Sequence, residues 1–218
     1  MSRTNSLIYW QKQQASISGM MLNPEADELH DHETKQIISC LPNLSGKKVL
    51  ELAAGIGRYT TYFASEATSV TAVDFNQNFL DKNQEINSKF ANIIYQCENI
   101  LNISFEKNTF DFVFINWLLM YLENEEVKTI IDNIYQWLKP KGQFLLRESC
   151  ITDSKGNPPV VSTSADAQHS HFYSHYRDPQ FYLDLFSQKF NLVSQGNIKI
   201  YEQKYNNPNQ LFWLLRKI

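Results

Sequence analysis

Apolar residues recur along this chain with two alternating periods. Short runs at Val49-Leu50-Glu51-Leu52, Val70-Thr71-Ala72-Val73 and Phe110 to Ile115 have strand length and are rich in β-branched and aromatic side chains. The stretches between them carry apolar residues at helical spacing, as Leu29, Ile37, Ile38 and Leu41 do. The pattern predicts helices over 24–41, 58–66, 77–89 and 123–137, the last ended by Lys139-Pro140-Lys141-Gly142. It predicts strands over 48–52, 69–74, 93–97, 110–115 and 143–147, and the fourth is apolar enough to be buried on both faces. A long polar segment, 148–176, follows. Asp178-Pro179 then opens a helix reaching 189, and strands near 192–201 and 210–216 close the chain. Strands alternating with helices imply an α/β fold, a Rossmann-like seven-stranded mostly parallel sheet with helices on both faces.

Ligands of such sheets bind at the carboxyl ends of the strands. Four segments should meet there: Glu51 to Gly57, Asp74-Phe75, Cys97 to Ile100, and Asn116 to Tyr121. The first is the most informative. An apolar strand ends in Glu51, a glycine turn Ala53-Ala54-Gly55-Ile56-Gly57 follows, and a helix comes next. Glycines let the backbone approach a ligand without a Cβ in the way. Asp74, closing the second strand, can accept hydrogen bonds from both hydroxyls of a ribose. The spacing is not G-x-G-x-x-G and offers no cradle for a dinucleotide pyrophosphate, so it points away from NAD and toward S-adenosylmethionine.

Composition narrows the classes. A chain of 218 residues, 43% hydrophobic and 20% charged, reads as one domain, 1–218, with a full core. The expected division is an N-terminal helical lid (1–45), a cofactor-binding core (46–148), and a substrate-binding segment with the closing strands (149–218). A net charge of −3 argues against nucleic acid, and the longest apolar run, Phe110 to Leu122, is too short to span a bilayer. The first 21 residues are too polar for a secretory signal. Cys40, Cys97 and Cys150 stand far apart and read as reduced thiols of a cytoplasmic protein. His169, His171 and His175 cluster, but no cysteine or carboxylate completes a metal set, so no metal is expected.

Longer stretches carry a resemblance. Tyr9-Trp10, Met20-Met21-Leu22, Val49 to Leu52 with Ala54 to Arg58, Asn116 to Leu122, Arg147-Glu148-Ser149-Cys150, and His175-Tyr176-Arg177 with Pro179, Phe181 and Tyr182 resemble class I S-adenosylmethionine-dependent methyltransferases. They resemble most the first methyltransferase domain of plant and nematode phosphoethanolamine N-methyltransferases. The resemblance runs from near residue 9 to Trp213. It implies the class I methyltransferase fold, S-adenosylmethionine as cofactor and phosphoethanolamine as acceptor; a monomer is expected though the sequence leaves the oligomeric state open, and neither nucleic acid nor membrane is expected as partner. Two departures stand out. Ala53 replaces the first loop glycine, which is harmless only if its φ is negative. Asn99 replaces an aspartate facing the adenine amino group, where its amide oxygen can still accept.

The implied roles follow. Glu51, Gly55, Gly57, Asp74, Phe75, Asn99, Ile100 and Asn116 are expected around the cofactor. Tyr121 is expected beside the reacting amine, at a position held by histidine in some single-domain relatives, with Tyr9 as a second catalytic candidate. A tyrosine with its ordinary pKa near 10 is a poor base, so Tyr121 either orients the amine or passes its proton on. Trp10 offers an aromatic face to a cation. Arg177, with Tyr173, His175, Tyr176 and Tyr182, is expected to hold the phosphate, because a guanidinium presents a planar fork of donors. Cys150 is expected to be a buried thiol, and Glu123, Glu125 and Glu126 a helix N-terminus. The competing readings are a methyltransferase for another small acceptor and a catalytically silent subunit of the same fold.

Overall fold

The computed structural model describes residues 3–23, 25–158 and 174–218. The N-terminal segment supplies helices α1 (Arg3–Gln11), α2 (Ile17–Met21) and α3 (Ala26–Ser39). The alternating part follows with β1 (Lys48–Leu52), α4 (Thr60–Glu66), β2 (Ser69–Asp74), α5 (Gln77–Ile86), β3 (Ile93–Cys97), β4 (Phe110–Asn116), α6 (Asn124–Trp137) and β5 (Leu138–Ser149). The chain closes with α7 (Pro179–Phe186), β6 (Phe190–Asn197), α8 (Lys199–Tyr205) and β7 (Gln210–Lys217). The strands form one sheet of order β3-β2-β1-β4-β5-β7-β6. β1 pairs in parallel with β2 and β4, while β7 runs antiparallel between β5 and β6. This is the seven-stranded sheet of the class I methyltransferase fold.

Both faces of the sheet are covered. On one, α6 lays Val127, Ile130, Ile131 and Ile134 against Leu50, Val113 and Leu146. These helix positions are three or four residues apart, a stripe that can only be buried against an apolar sheet. On the other, α3 and α4 pack Leu29, Ile37 and Phe63 over Val49, Phe112 and Phe114. Glu126 closes the N-terminus of α6 by accepting the Glu123 N–H at 2.9 Å, as the acidic run implied.

Two expected elements differ. The last crossover is not one strand over 192–201: β6 stops at Asn197, and Lys199–Tyr205 is a helix that buries Ile200 and Tyr201. β5 begins at Leu138, five residues before the expected start, because Leu138 pairs with Phe110 before the register jumps to Phe112 opposite Gln143. The Lys139-Pro140-Lys141-Gly142 run bulges out of the ladder there, which is how a proline is tolerated.

Candidate functional site

The strand order reverses between β1 and β4, and a cleft opens at their carboxyl ends, as open α/β sheets dictate. Counting the space open at its mouth, it holds about 1160 Å³. Its floor is the β1 turn with Glu51, Ala53, Ala54 and Gly55. One wall is Asp74, Phe75, Asn99 and Ile100, and the other is Asn116, Trp117, Leu118 and Tyr121. Leu7, Trp10 and Met20 from the N-terminal helices lie across the top.

The turn is built around Asp74. One carboxylate oxygen accepts the Gly55 N–H and the other the Asn76 N–H, both at 2.9 Å. Each oxygen keeps lone pairs for a ligand. Burial pushes the Asp74 carboxyl up to about 6 against those donors. Glu51 lies deeper and is fully buried. One of its oxygens accepts the Thr60 hydroxyl at 2.5 Å, and burial, with the Asp74 charge adding, pushes it up to about 8. Gly55 has φ +56, which favours glycine, and a Cβ there would sit 2.3 Å from the Met20 methyl, so that side chain would have to move aside.

Two expectations about the cofactor side are corrected, those for Ala53 and Gly57. Ala53 has φ +57, not negative, so this alanine carries left-handed strain that the usual glycine would not. Gly57 does not line the cleft: its φ of +90 shapes the turn, and a Cβ there would sit 2.5 Å from Asn83 Oδ1. Asn99 lines the cleft, but its amide oxygen already accepts the Leu101 N–H at 3.0 Å, leaving one lone pair for a ligand. Phe75, Ile100 and Asn116 are in place, and the Asn116 amide oxygen is buried without a hydrogen-bond partner.

On the acceptor side, Tyr121 ends a single-turn 3-10 helix, Leu119–Tyr121. The Trp10 ring meets it edge-on at 5.5 Å, and the Trp10 carbonyl accepts from Asn76 Nδ2 at 2.8 Å, which latches α1 over the cleft. Burial raises the Tyr121 hydroxyl well above its ordinary value, and Tyr176, Glu148 and Tyr9 add to the rise. It therefore stays protonated at neutral pH. Tyr9 stands one layer back, edge-on to Trp10 at 5.9 Å, and does not line the cleft.

The expected phosphate clamp is not assembled as predicted. Arg177 is buried, and its Nε donates to Asn124 Oδ1 and Nη1 to the Leu119 carbonyl, both at 2.8 Å, while Nη2 donates to the Leu122 carbonyl. It ties the Tyr121 turn to the segment before α7 rather than offering an open fork. Tyr182 is a core residue, packed between Phe186 and Trp213. His175 faces Glu123 (Nε2 to Oε2, 3.5 Å), and Tyr176 is partly buried beside it; neither lines the cleft. Tyr173, His169 and His171 lie outside the described residues. Cys150 is buried, and burial pushes its thiol up to about 12, so it is no nucleophile.

A set of buried charges escaped the sequence reading. Glu33 on α3 meets Arg58 Nη2 at 3.0 Å and Arg147 Nε at 2.9 Å, and Tyr201 donates to it at 3.0 Å. Arg58 lines the cleft, and the Arg147 guanidinium lies 3.9 Å from the Trp117 ring centroid. Burial alone would push Glu33 up, but the two arginines outweigh it and hold the carboxyl below its ordinary value. No local spacing signals such a cluster, because its members lie up to 168 residues apart.

Residues 49–142 match the family model described as a methyltransferase domain. Over 96% of its length the chain is 36% identical to phosphoethanolamine N-methyltransferase 1 of Triticum aestivum, covering 43% of that protein. Over 99% of its length it is 35% identical to phosphoethanolamine N-methyltransferase 1 of Caenorhabditis elegans, covering 48% of it. The chain thus spans about half the length of the curated relatives it matches. It superposes with a TM-score of 0.90 and 32% identity on phosphoethanolamine N-methyltransferase 1 of Haemonchus contortus in complex with phosphoethanolamine and S-adenosylhomocysteine, covering 99% of this chain and 49% of that one.

Proposed function

We propose that this chain, a class I methyltransferase by fold and by sequence, moves a methyl group from S-adenosylmethionine to the amine of phosphoethanolamine. The observation that carries the reading is the whole-length similarity to a structure that holds both phosphoethanolamine and the demethylated cofactor. The residues of the cleft fit the cofactor. Asp74 has lone pairs to spare for a ribose, Gly55 leaves the floor open, and Glu51 is a buried carboxylate that accepts the Thr60 hydroxyl.

When bound, S-adenosylmethionine supplies a methyl group on a positively charged sulfur. The substrate's ammonium would first lose a proton to water, and the neutral amine's lone pair would then take the methyl group as its bond to sulfur breaks. Tyr121 orients the amine through its hydroxyl oxygen and, being protonated, does not take that proton. Trp10 closes the cleft, excludes water and offers its face to positive charge. Glu51 and Asp74 would hold the cationic and ribose ends of the cofactor. Alignment of nitrogen, methyl carbon and sulfur is the main service of such a site.

No helix among the described residues is long and apolar enough to cross a membrane. The scattered free thiols support a reducing, cytoplasmic setting, and a monomer remains our reading of the assembly.

The test is methyl transfer from labelled S-adenosylmethionine, with phosphoethanolamine, its mono- and dimethyl forms and unphosphorylated ethanolamine offered in parallel. Turnover of phosphoethanolamine but not ethanolamine is the expected result. Equal turnover of both would remove the phosphate from recognition.

A further inference from the structure

We propose that Glu148 and Arg177 are positioning residues for methyl transfer, a carboxylate and a guanidinium that hold the turn carrying Tyr121 from its two ends. This rests on the methyl transfer proposed above. Neither side chain lines the cleft, and both are buried. Glu148, at the end of β5, accepts the Leu118 N–H at 2.8 Å and the Leu119 N–H at 2.7 Å with the same oxygen. Those amides open the 3-10 turn, where N–H groups have no partner within the turn and where negative charge is favoured. Arg177 takes the carbonyls of Leu119 and Leu122 and reaches Asn124 with its remaining nitrogen. Between them, the His175 N–H donates to the Met120 carbonyl at 2.7 Å. The turn's own bonds are only Tyr121 N–H to the Leu118 carbonyl and Leu122 N–H to the Leu119 carbonyl. Its geometry, and with it the place of the Tyr121 hydroxyl, is therefore set from outside by opposite charges matched to the two ends of the turn.

The clamp also makes turnover depend on pH. The groups that act on Glu148 are Tyr121 on the turn, Tyr176 and Arg177 before α7, Tyr182 on α7, and Arg147 and Cys150 on β5. His175 is turned toward Glu123 instead. Burial pushes Glu148 up to about 7, against the two amides and the two arginines, which favour its ionised form. Burial lifts the three tyrosines above their ordinary values and Cys150 to about 12, so Glu148 is the member of this group that titrates near neutrality. The ionised carboxylate accepts both amides strongly, and protonation weakens both bonds at once.

The test uses three variants. Glu148→Gln keeps an oxygen acceptor but neither charge nor titration. Wild-type kcat is expected to show an acid limb near pH 7 that this variant loses, with S-adenosylmethionine affinity within twofold. Glu148→Ala is expected to lower kcat by about 100-fold through displacement of the turn. In the same variant the amide hydrogens of Leu118 and Leu119 should exchange with solvent at least about tenfold faster, each having lost a charge-assisted bond. Arg177→Lys cannot reach three acceptors with one ammonium, and is expected to lower kcat while the KM for phosphoethanolamine holds within threefold. The clamp is overturned if Glu148→Ala leaves those amides protected, or if Glu148→Gln keeps the acid limb. A raised KM with intact kcat in Arg177→Lys overturns its positioning role and returns it to phosphate contact. If the wild-type protein does not methylate phosphoethanolamine, the proposed function fails, and amide exchange still decides the clamp.

Discussion

Binding of S-adenosylmethionine should strengthen as pH rises through neutrality, and Glu51 should be the cause. The carboxyl is buried beneath the cleft, with the Thr60 hydroxyl as hydrogen-bond donor and Asp74 as an unfavourable neighbour. Its pKa of about 8 leaves roughly one molecule in eleven ionised at pH 7, since each unit of pKa is a factor of ten. A cationic ligand needs the ionised form. Affinity at pH 7 is therefore expected to lie about tenfold below its value at pH 9, and at pH 6 about a hundredfold below. Below about pH 6, protonation of Asp74 removes a ribose acceptor and steepens the fall. The cofactor's own α-ammonium titrates as well, but it does so against every variant alike. The measurement is therefore the difference between wild type and Glu51→Gln. Isothermal titration calorimetry at pH 6, 7, 8 and 9, in two buffers of unlike ionisation heat, gives both affinity and protons released. Wild type should release close to one more proton per cofactor at pH 7 than Glu51→Gln, whose affinity should be lower and flatter with pH. Parallel pH profiles for the two proteins would refute the reasoning, because they would mean that Glu51 is already ionised without ligand.

The other predictions are simpler. Glu33→Ala leaves two buried arginines without their shared carboxylate and should cost about 3–5 kcal/mol of stability, read by urea denaturation. Because Glu33 is held below its ordinary value, its contribution is present at neutral pH and is lost as pH falls through its folded pKa, so wild type and variant should converge in acid. Ala53→Gly relieves a left-handed alanine worth about 1–2 kcal/mol but frees the unfolded chain by about 0.5–1 kcal/mol, so a small rise in Tm is expected. Trp10→Ala removes the ring over Tyr121 and should weaken cofactor binding with the fold intact, checked by calorimetry and circular dichroism.

The cofactor half of the site was legible because its signals are local. β1 and β2 fall where the apolar runs placed them, and their ends carry Glu51 and Asp74 within one turn of the glycine loop. The elements that were misread lack such punctuation. Ile198-Lys199-Ile200 continues an apolar-polar alternation, yet Ile198 and Tyr201, three residues apart, are both buried, which is a helix start rather than a strand end. Lys139-Pro140-Lys141-Gly142 reads as a turn because a local pattern cannot show that Phe110 will pair beyond it. Arg177 was assigned to phosphate because arginine suits phosphate. The same fork suits the carbonyls at the end of a 3-10 turn, and only the fold shows which it meets.

The buried carboxylates around the cleft differ in what balances them, and that difference points to the charge of the ligand. Glu33 has two arginines and is held ionised. Glu51 and Asp74 have a hydroxyl and amides, and burial wins over these. Arg58, the guanidinium that lines the cleft, is committed to Glu33. The floor is thus a pair of poorly balanced acids whose nearest arginine is already paired. An anion there would add to their repulsion, and a neutral ligand would leave them protonated, whereas a cation offers the missing balance. S-adenosylmethionine sets a sulfonium and an α-ammonium against one α-carboxylate, a net charge of +1. The product has lost the sulfonium charge, so it should be held less tightly than the cofactor by the same two carboxylates, and most unequally above pH 8, where both are ionised.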